Sequence, residues 1–412
     1  MSAIGRLVSW VDKRLGLSGT ILRPVPTYAM GVGPWLGALA IVCFAILGIT
    51  GMMMLPYYSA ASGDAAYTSS TNIITKLPNG SLIESIHLYA AYSMIFFAFL
   101  HLMRGYFASV QKSPREMMWI VGMGMGLITL FSGFTGYLLP WTVVSKSATD
   151  VSIGIMGYLP DPIRGLMTYI IQGSGSDVDL LSHFLALHVV ILPGILAVLF
   201  LLKLHMFEVH GASKPEYVKK PLLPDRIQKS MTMGGPDATD STRSYPWFPT
   251  VAVYLLMLTA VFASALIFIA SEFPLQLGPE YTSATAAGAM PEPEWYFLWV
   301  YQIFKMSVFE GSWTLGAIVV AMVLLILLLV FPLFDKSPRT DFRKRPFYSS
   351  IGVAMVYELI TMTIWASMTP GQTIAATDAF LLLVIPACLL ISVGFYLGRR
   401  HPKRLVPLGA KV

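Results

Sequence analysis

The sequence predicts an all-α integral membrane protein with eight transmembrane helices, and three observations carry that expectation. First, its 412 residues are 55% hydrophobic and only 12% charged, about half the charged share usual in soluble chains. Second, eight apolar segments long enough to cross a bilayer stand at residues 35–55, 84–107, 116–139, 180–206, 249–270, 313–334, 350–368 and 378–397. Third, lysines and arginines alternate between the connections. Eight crossings put 24 of the 28 on one side and leave only Lys76, Lys146, Arg164 and Lys305 on the other. Cationic loops stay in the cytoplasm, so both termini are expected on the cytoplasmic side of the inner (cytoplasmic) cell membrane. An odd number of spans would destroy the alternation.

Several classes of function are excluded. The first 25 or so residues hold Arg6, Lys13 and Arg14 but no apolar core before a cleavage site, so no removable signal peptide is expected. The first 30 residues read as a basic amphipathic surface segment. Cys43 and Cys388 both lie in apolar spans and are expected to pack as small side chains rather than form a disulfide. No CxxCH, P-loop or basic run interleaved with aromatics occurs. Covalent c-type haem attachment, nucleotide hydrolysis and nucleic-acid binding are therefore not indicated.

The first span carries Gly37 and Gly51, and the third carries Gly122 and Gly136, each pair fourteen residues apart. Glycines in membrane helices allow close packing, and they also let a flat macrocycle approach the backbone. The second span, ESIHLYAAYSMIFFAFLHLMRGYF, has His87 and His101 at the same interval of fourteen. Fourteen helical steps advance ~21 Å and drift only ~40°, so the two imidazoles share a face near opposite membrane surfaces. Polar groups at such depth are costly and usually functional, and a neutral imidazole with a free ring nitrogen suits haem iron.

The fourth span runs in the same direction and holds His183, His188, His205 and His210. His188 is expected to face His87 and His205 to face His101, so that the first four spans form a di-haem four-helix bundle. His188 to His205 is seventeen residues, about 100° off a common face in an ideal helix. Pro193-Gly194 lies between them, and proline permits a bulge that absorbs extra residues. Lys203, fifteen after His188, is passed over as a cationic amine.

The connection over 140–180 contains Pro140, Pro160 and Pro162 and is expected to form one or two short surface helices. The chain is then expected to divide into the bundle (1–206), an inner-side loop (207–247) and a C-terminal four-helix part (248–412). That last part has no intramembrane histidine. Between its first two spans it carries AMPEPEWYF, where Glu294 precedes an aromatic run and Tyr301 lies seven residues further on. Taken alone, the segment reads as an interfacial aromatic belt with solvated carboxylates.

These residues, in this order, resemble cytochrome b of the cytochrome bc family over nearly the whole chain. The markers are the histidine pair followed by Arg104-Gly105, the glycine pairs, GYLLPW at 136–141, LPG after His188 and PEWYF at 293–297. Both halves on one chain resemble the unsplit form. The resemblance implies two b-type or modified haems, ligated by His87 with His188 and by His101 with His205. It also implies Arg104 as partner of a haem propionate and His210 at an inner quinone site. A quinol pocket is implied near Pro140, Trp141, Glu294 and Tyr301, with Glu294 as proton acceptor. The chain would then be a subunit of a quinol:electron-acceptor oxidoreductase of the quinol–cytochrome c reductase type. Its expected partners are a Rieske iron–sulfur protein, a cytochrome c-type or other acceptor subunit, quinone, the bilayer and a second copy of the complex. Glu84 and His183 stand where many relatives carry arginine, and Thr142 follows GYLLPW in place of the usual Gly or Asp. A di-haem membrane anchor of a dehydrogenase or hydrogenase could share the histidines but has fewer spans and no need of PEWYF. A transporter would explain broken helices but not the histidine pattern.

Overall fold

The structure, a computed structural model, describes residues 24–211, 244–287, 292–309, 314–337 and 339–400, with residues 6, 213 and 311. Most of the expected N-terminal amphipathic segment and of the 207–247 loop lies outside the described residues. Eight helical segments are long and apolar enough to cross a bilayer. In chain order they are Val32–Tyr57, Gly80–Phe107, Glu116–Leu138, Asp177–His210, Trp247–Glu272, Thr314–Phe334, Pro346–Met368 and Ala376–Arg399. They match the eight expected spans, and the chain is an all-α, multi-pass membrane protein.

The helices gather into two compact units that interleave along the chain. One comprises residues up to Arg104, Met117–Tyr137 and Phe184–Leu277; the other comprises Gly105–Glu116, Leu138–His183 and the chain from Gly278 onward. The fifth span therefore groups with the first four, not with the last three.

In the first unit, Cys43, Met94 and Leu196 are buried together, surrounded by Phe44, Leu47, Phe97, Met125, Ile128 and Phe262. Met94 is seven residues from both His87 and His101, so this apolar layer separates the two histidine levels. The fifth span is held by Phe262 against Phe97, with ring centres 5.4 Å apart, and by the Tyr89 hydroxyl, which donates to the Phe273 carbonyl at 2.8 Å. Neither cysteine is bridged. Cys43 packs as expected, whereas Cys388 is exposed, because it sits on an outward face of the eighth span.

Among the described residues, two spans contain a widened, π-type turn just before a proline, Leu187–Ile191 before Pro193 and Phe380–Val384 before Pro386, while the fifth span starts with a kink at Phe248-Pro249. Proline lacks an N–H and its ring clashes with the carbonyl four residues earlier. One extra residue in the preceding turn relieves both problems, and a π bulge supplies it.

In the second unit the 140–180 connection forms two short helices, Val143–Met156 and Ile163–Gln172. Thr142 caps the first, sharing reciprocal side-chain to backbone bonds with Ser145. His183 Nδ1 bonds the Ile170 carbonyl at 2.9 Å and ties the second to the chain that follows. Ile303, Met306, Ala317, Met362, Ile374, Ala379 and Leu383 form an apolar core of this unit. A buried charge cluster closes the connection before the seventh span. Asp335, fully buried, accepts from Arg345 and lies 3.2 Å from the Lys112 ammonium, and Arg345 also donates to the Phe107 carbonyl at 3.1 Å.

Removing one member of a buried ion pair leaves the other uncompensated, at a cost of about 3–5 kcal/mol. Asp335→Ala should therefore lower the thermal midpoint of the detergent-solubilised protein well below that of the wild type. An unchanged melting curve would mean that Arg345 and Lys112 do not need the carboxylate.

Candidate functional site

The first unit contains four close approaches between a glycine and a nitrogen-bearing side chain. A Cβ added at Gly51 would lie 3.3 Å from His87 Cε1, and one at Gly37 would lie 3.0 Å from His101 Cε1. At Gly136 it would collide with the His188 ring, and at Gly122 it would lie 2.8 Å from Lys203 Nζ. The glycines of the first span thus seat the histidines of the second, and those of the third seat two residues of the fourth. The notches make room for side chains first, and only through them for a bound ring.

His87 and His188 face one another with ring centres 6.2 Å apart. Imidazole–metal bonds are about 2 Å long, so an ion bridging two imidazole nitrogens sets their ring centres about 6 Å apart. The second ring nitrogens are already occupied. His87 Nδ1 lies 2.8 Å from Thr50 Oγ1, and His188 Nδ1 lies 2.9 Å from the Ser132 carbonyl. Such outer bonds fix the ring orientation and leave Nε2 to bind a metal. Thr50 is anchored in turn by donation to the Ile46 carbonyl at 2.8 Å. These residues fit a bis-imidazole haem site.

At the other level His101 lies against Gly37, and its Nδ1 is buried with no hydrogen-bond partner among the described residues. The residue opposite, on the Gly122 notch, is Lys203. His205 is exposed. Two residues of helix separate it from Lys203, which turns it ~160° away. The π turn at Leu187–Ile191 absorbs one residue, reducing the effective spacing from His188 to Lys203 from fifteen to fourteen. Bringing His205 to the same face would need three residues to be absorbed. Arg104, in the last turn of the second span, runs along Gly33 with Cδ 3.7 Å from the added Cβ. His210 is the exposed last residue of the fourth span, before Gly211, whose φ of 68° ends the helix.

In the second unit Trp141 and Val143 pair with the segment before the PEWYF run. Val143 N–H donates to the Pro279 carbonyl at 2.9 Å and Tyr281 N–H to the Trp141 carbonyl at 3.1 Å. Trp141 is buried with φ of 53°, a left-handed conformation that bulky residues rarely adopt and that tends to mark functional sites. Its ring meets Tyr281 edge-on at 6.4 Å. Lys146 Nζ stands 5.4 Å from the Trp141 ring centre and 5.1 Å from that of Tyr281.

Glu294 is half-buried and caps the turn Trp295–Phe297, its carbonyl accepting from Phe297 N–H at 2.8 Å. Tyr301 follows on the helix Leu298–Phe304, with Lys305 Nζ 5.2 Å from its ring centre. The buried Lys305 donates to the Thr369 carbonyl and hydroxyl. Burial, then the Glu292 carboxylate, holds the Tyr301 phenol above its ordinary pKa, while a Gly371 backbone hydrogen bond works the other way. Burial pushes the Lys305 ammonium below its usual value, and Glu292 partly restores it. Glu292 Oε1 is buried with no hydrogen-bond partner among the described residues. Sequence reasoning set Lys203 aside and gave no role to Glu292, Thr50, Ser132 or Lys305. Of these, Lys203 alone had a signal, one residue beyond the interval of fourteen with a proline between.

Comparison with known proteins follows the same outline. A family model described as Cytochrome b(N-terminal)/b6/petB matches residues 92–280, and one described as Cytochrome b(C-terminal)/b6/petD matches residues 286–385. Cytochrome b of Sulfolobus acidocaldarius is 26% identical over 413 residues, covering 95% of this chain and 71% of that protein. Cytochrome b6 of Heliobacterium modesticaldum is 33% identical over 215 residues, covering 50% of this chain and 100% of that protein. A solved structure described as Hyperthermophilic respiratory Complex III aligns with a TM-score of 0.74 at 25% identity, over 95% of this chain and 98% of that one.

Gly136→Val would force three carbons into the His188 seat, and overpacking of this kind costs about 1–3 kcal/mol. The purified variant should bind less haem per polypeptide than the wild type, read as pyridine haemochrome absorbance at equal protein. Equal haem content would show that the notch is dispensable.

Proposed function

The chain belongs to the cytochrome b family, and from that premise we propose that it is the quinol-oxidising subunit of a bc-type respiratory complex. In this reading it carries electrons from quinol across the membrane with coupled proton translocation. The observation that supports it most is the facing pair His87 and His188, with ring centres 6.2 Å apart and both Nδ1 atoms engaged. Two b-type haems, when bound, supply one-electron chemistry, so that a two-electron donor can be oxidised in single steps. His87 and His188 hold one of them, with Thr50 and Ser132 fixing ring orientation. His101 supplies a ligand for the other, and Arg104 offers a planar fork to a propionate.

Quinol binds near Pro140, Trp141, Glu294 and Tyr301. Trp141 and Tyr281 give it an aromatic wall, and Glu294 takes a hydroxyl proton. Tyr301, kept protonated by burial and by Glu292, donates a hydrogen bond to the oxygen opposite. One electron leaves for a Rieske iron–sulfur partner, since two cysteines in separate spans give this chain no cluster ligand set. Quinone is reduced near His210 on the side rich in lysine and arginine, which is the cytoplasmic side by charge. Oxidation releases protons on one face of the membrane and reduction takes them up on the other. A cytochrome c-type subunit as acceptor and a dimeric complex complete the reading.

Glu294→Gln should slow quinol oxidation by about 100-fold or more while both haem signals remain. Unchanged turnover would remove Glu294 from the proton path. Glu292→Gln tests the neighbouring acid by pH. Tyr301 and Lys305 would both lose an anion that holds their protons, so each would deprotonate at lower pH. The alkaline limb of the rate profile should then move to lower pH with the acid limb in place. A shift of the alkaline limb to higher pH, or none, would count against that electrostatic link.

A further inference from the structure

Three of the four glycine notches in the first unit seat imidazoles, and the fourth seats an amine. Gly122 and Gly136 are fourteen residues apart, as are Gly37 and Gly51, so the Lys203 seat repeats the level at which His101 sits. Lys203 is close enough to His101 to interact with it electrostatically. It has no hydrogen-bond or ion-pair partner among the described residues, and His101 Nδ1 is likewise buried without one. A cation without a counter-ion and an unpaired imidazole nitrogen inside a membrane bundle are costly to maintain. A metal ion accepting a lone pair from the Lys203 amine and from the His101 ring removes the cost of the buried cation. His205 cannot serve, because it is exposed and turned ~160° from Lys203 on the same helix.

We propose that Lys203, rather than His205, is the axial ligand opposite His101, making the second haem site imidazole–amine where the first is bis-imidazole. The inference rests on the reading of the chain as a haem-binding cytochrome b. Coordination uses the lone pair on Nζ, so the ammonium gives its proton to solvent as the iron–nitrogen bond forms, and no oxidation state changes.

The test uses the full chain purified with its haem. Near-infrared magnetic circular dichroism and EPR distinguish bis-imidazole from imidazole–amine low-spin iron, and pyridine haemochrome counts the haems. The wild type should show one centre of each kind. Lys203→Ala should convert or lose half of the low-spin signal, and His205→Ala should leave both centres unchanged. Lys203→His should keep both centres low-spin and replace the imidazole–amine band by a second bis-imidazole one. Two bis-imidazole centres in the wild type, or loss of one in His205→Ala, would overturn the assignment while leaving the wider function intact. A wild-type protein without haem would instead remove the function proposed above. Should Lys203→Ala fail to accumulate, the wild-type spectrum alone decides.

Discussion

The close approach of glycine backbone to a nitrogen-bearing side chain, made at four places, sets the spacing of the long helices in the first unit. A Cβ at any of the four positions would press into an imidazole or an amine. The first and second spans, and the third and fourth, can therefore lie closer than ordinary side chains permit. That proximity brings His87 and His188 within 6.2 Å of one another between ring centres and leaves Thr50 and the Ser132 carbonyl positioned to bind their far nitrogens. The apolar layer of Cys43, Met94 and Leu196 then fills the space between levels. Helix crossing, ligand orientation and core packing all follow from the missing methyl groups.

Much of this was legible in the sequence, because its signals are local. Eight apolar segments, alternating cationic loops and intervals of fourteen are properties of single helices, and a helix of fixed pitch turns them directly into depth and face. The fourth span shows where such reading ends. Its irregular spacing announced a bulge near Pro193, but the number of residues absorbed there sets which side chain of the fourth span faces the Gly122 notch. Only the backbone gives that number, and it gives one. The usual chemistry of lysine argued the other way, since an exposed ammonium is no ligand; burial against Gly122 changes the question.

The grouping of the fifth span with the first four was not legible for a different reason. It depends on contacts such as Phe97 with Phe262 and Tyr89 with the Phe273 carbonyl, which join residues far apart in the chain. The same holds for Glu292. Its sequence context is two prolines and a second acid, and nothing local shows that it faces Tyr301 and Lys305 while Glu294 caps the following turn. The π turns before Pro193 and Pro386 show the opposite case, a local rule acting twice in two different spans.

The apolar layer between the two histidine levels has an energetic consequence. It separates the levels by ~21 Å of a hydrocarbon thickness of about 30 Å, and its apolar side chains offer little polarisable matter to screen charge across it. A charge carried between the levels therefore crosses about two thirds of the voltage drop, worth about 1.5 kcal/mol for every 100 mV. The occupancy of one level against the other becomes a voltmeter. In the proposed function, an energised membrane would hold electrons back at the first level, so that the gradient itself would throttle the transfer.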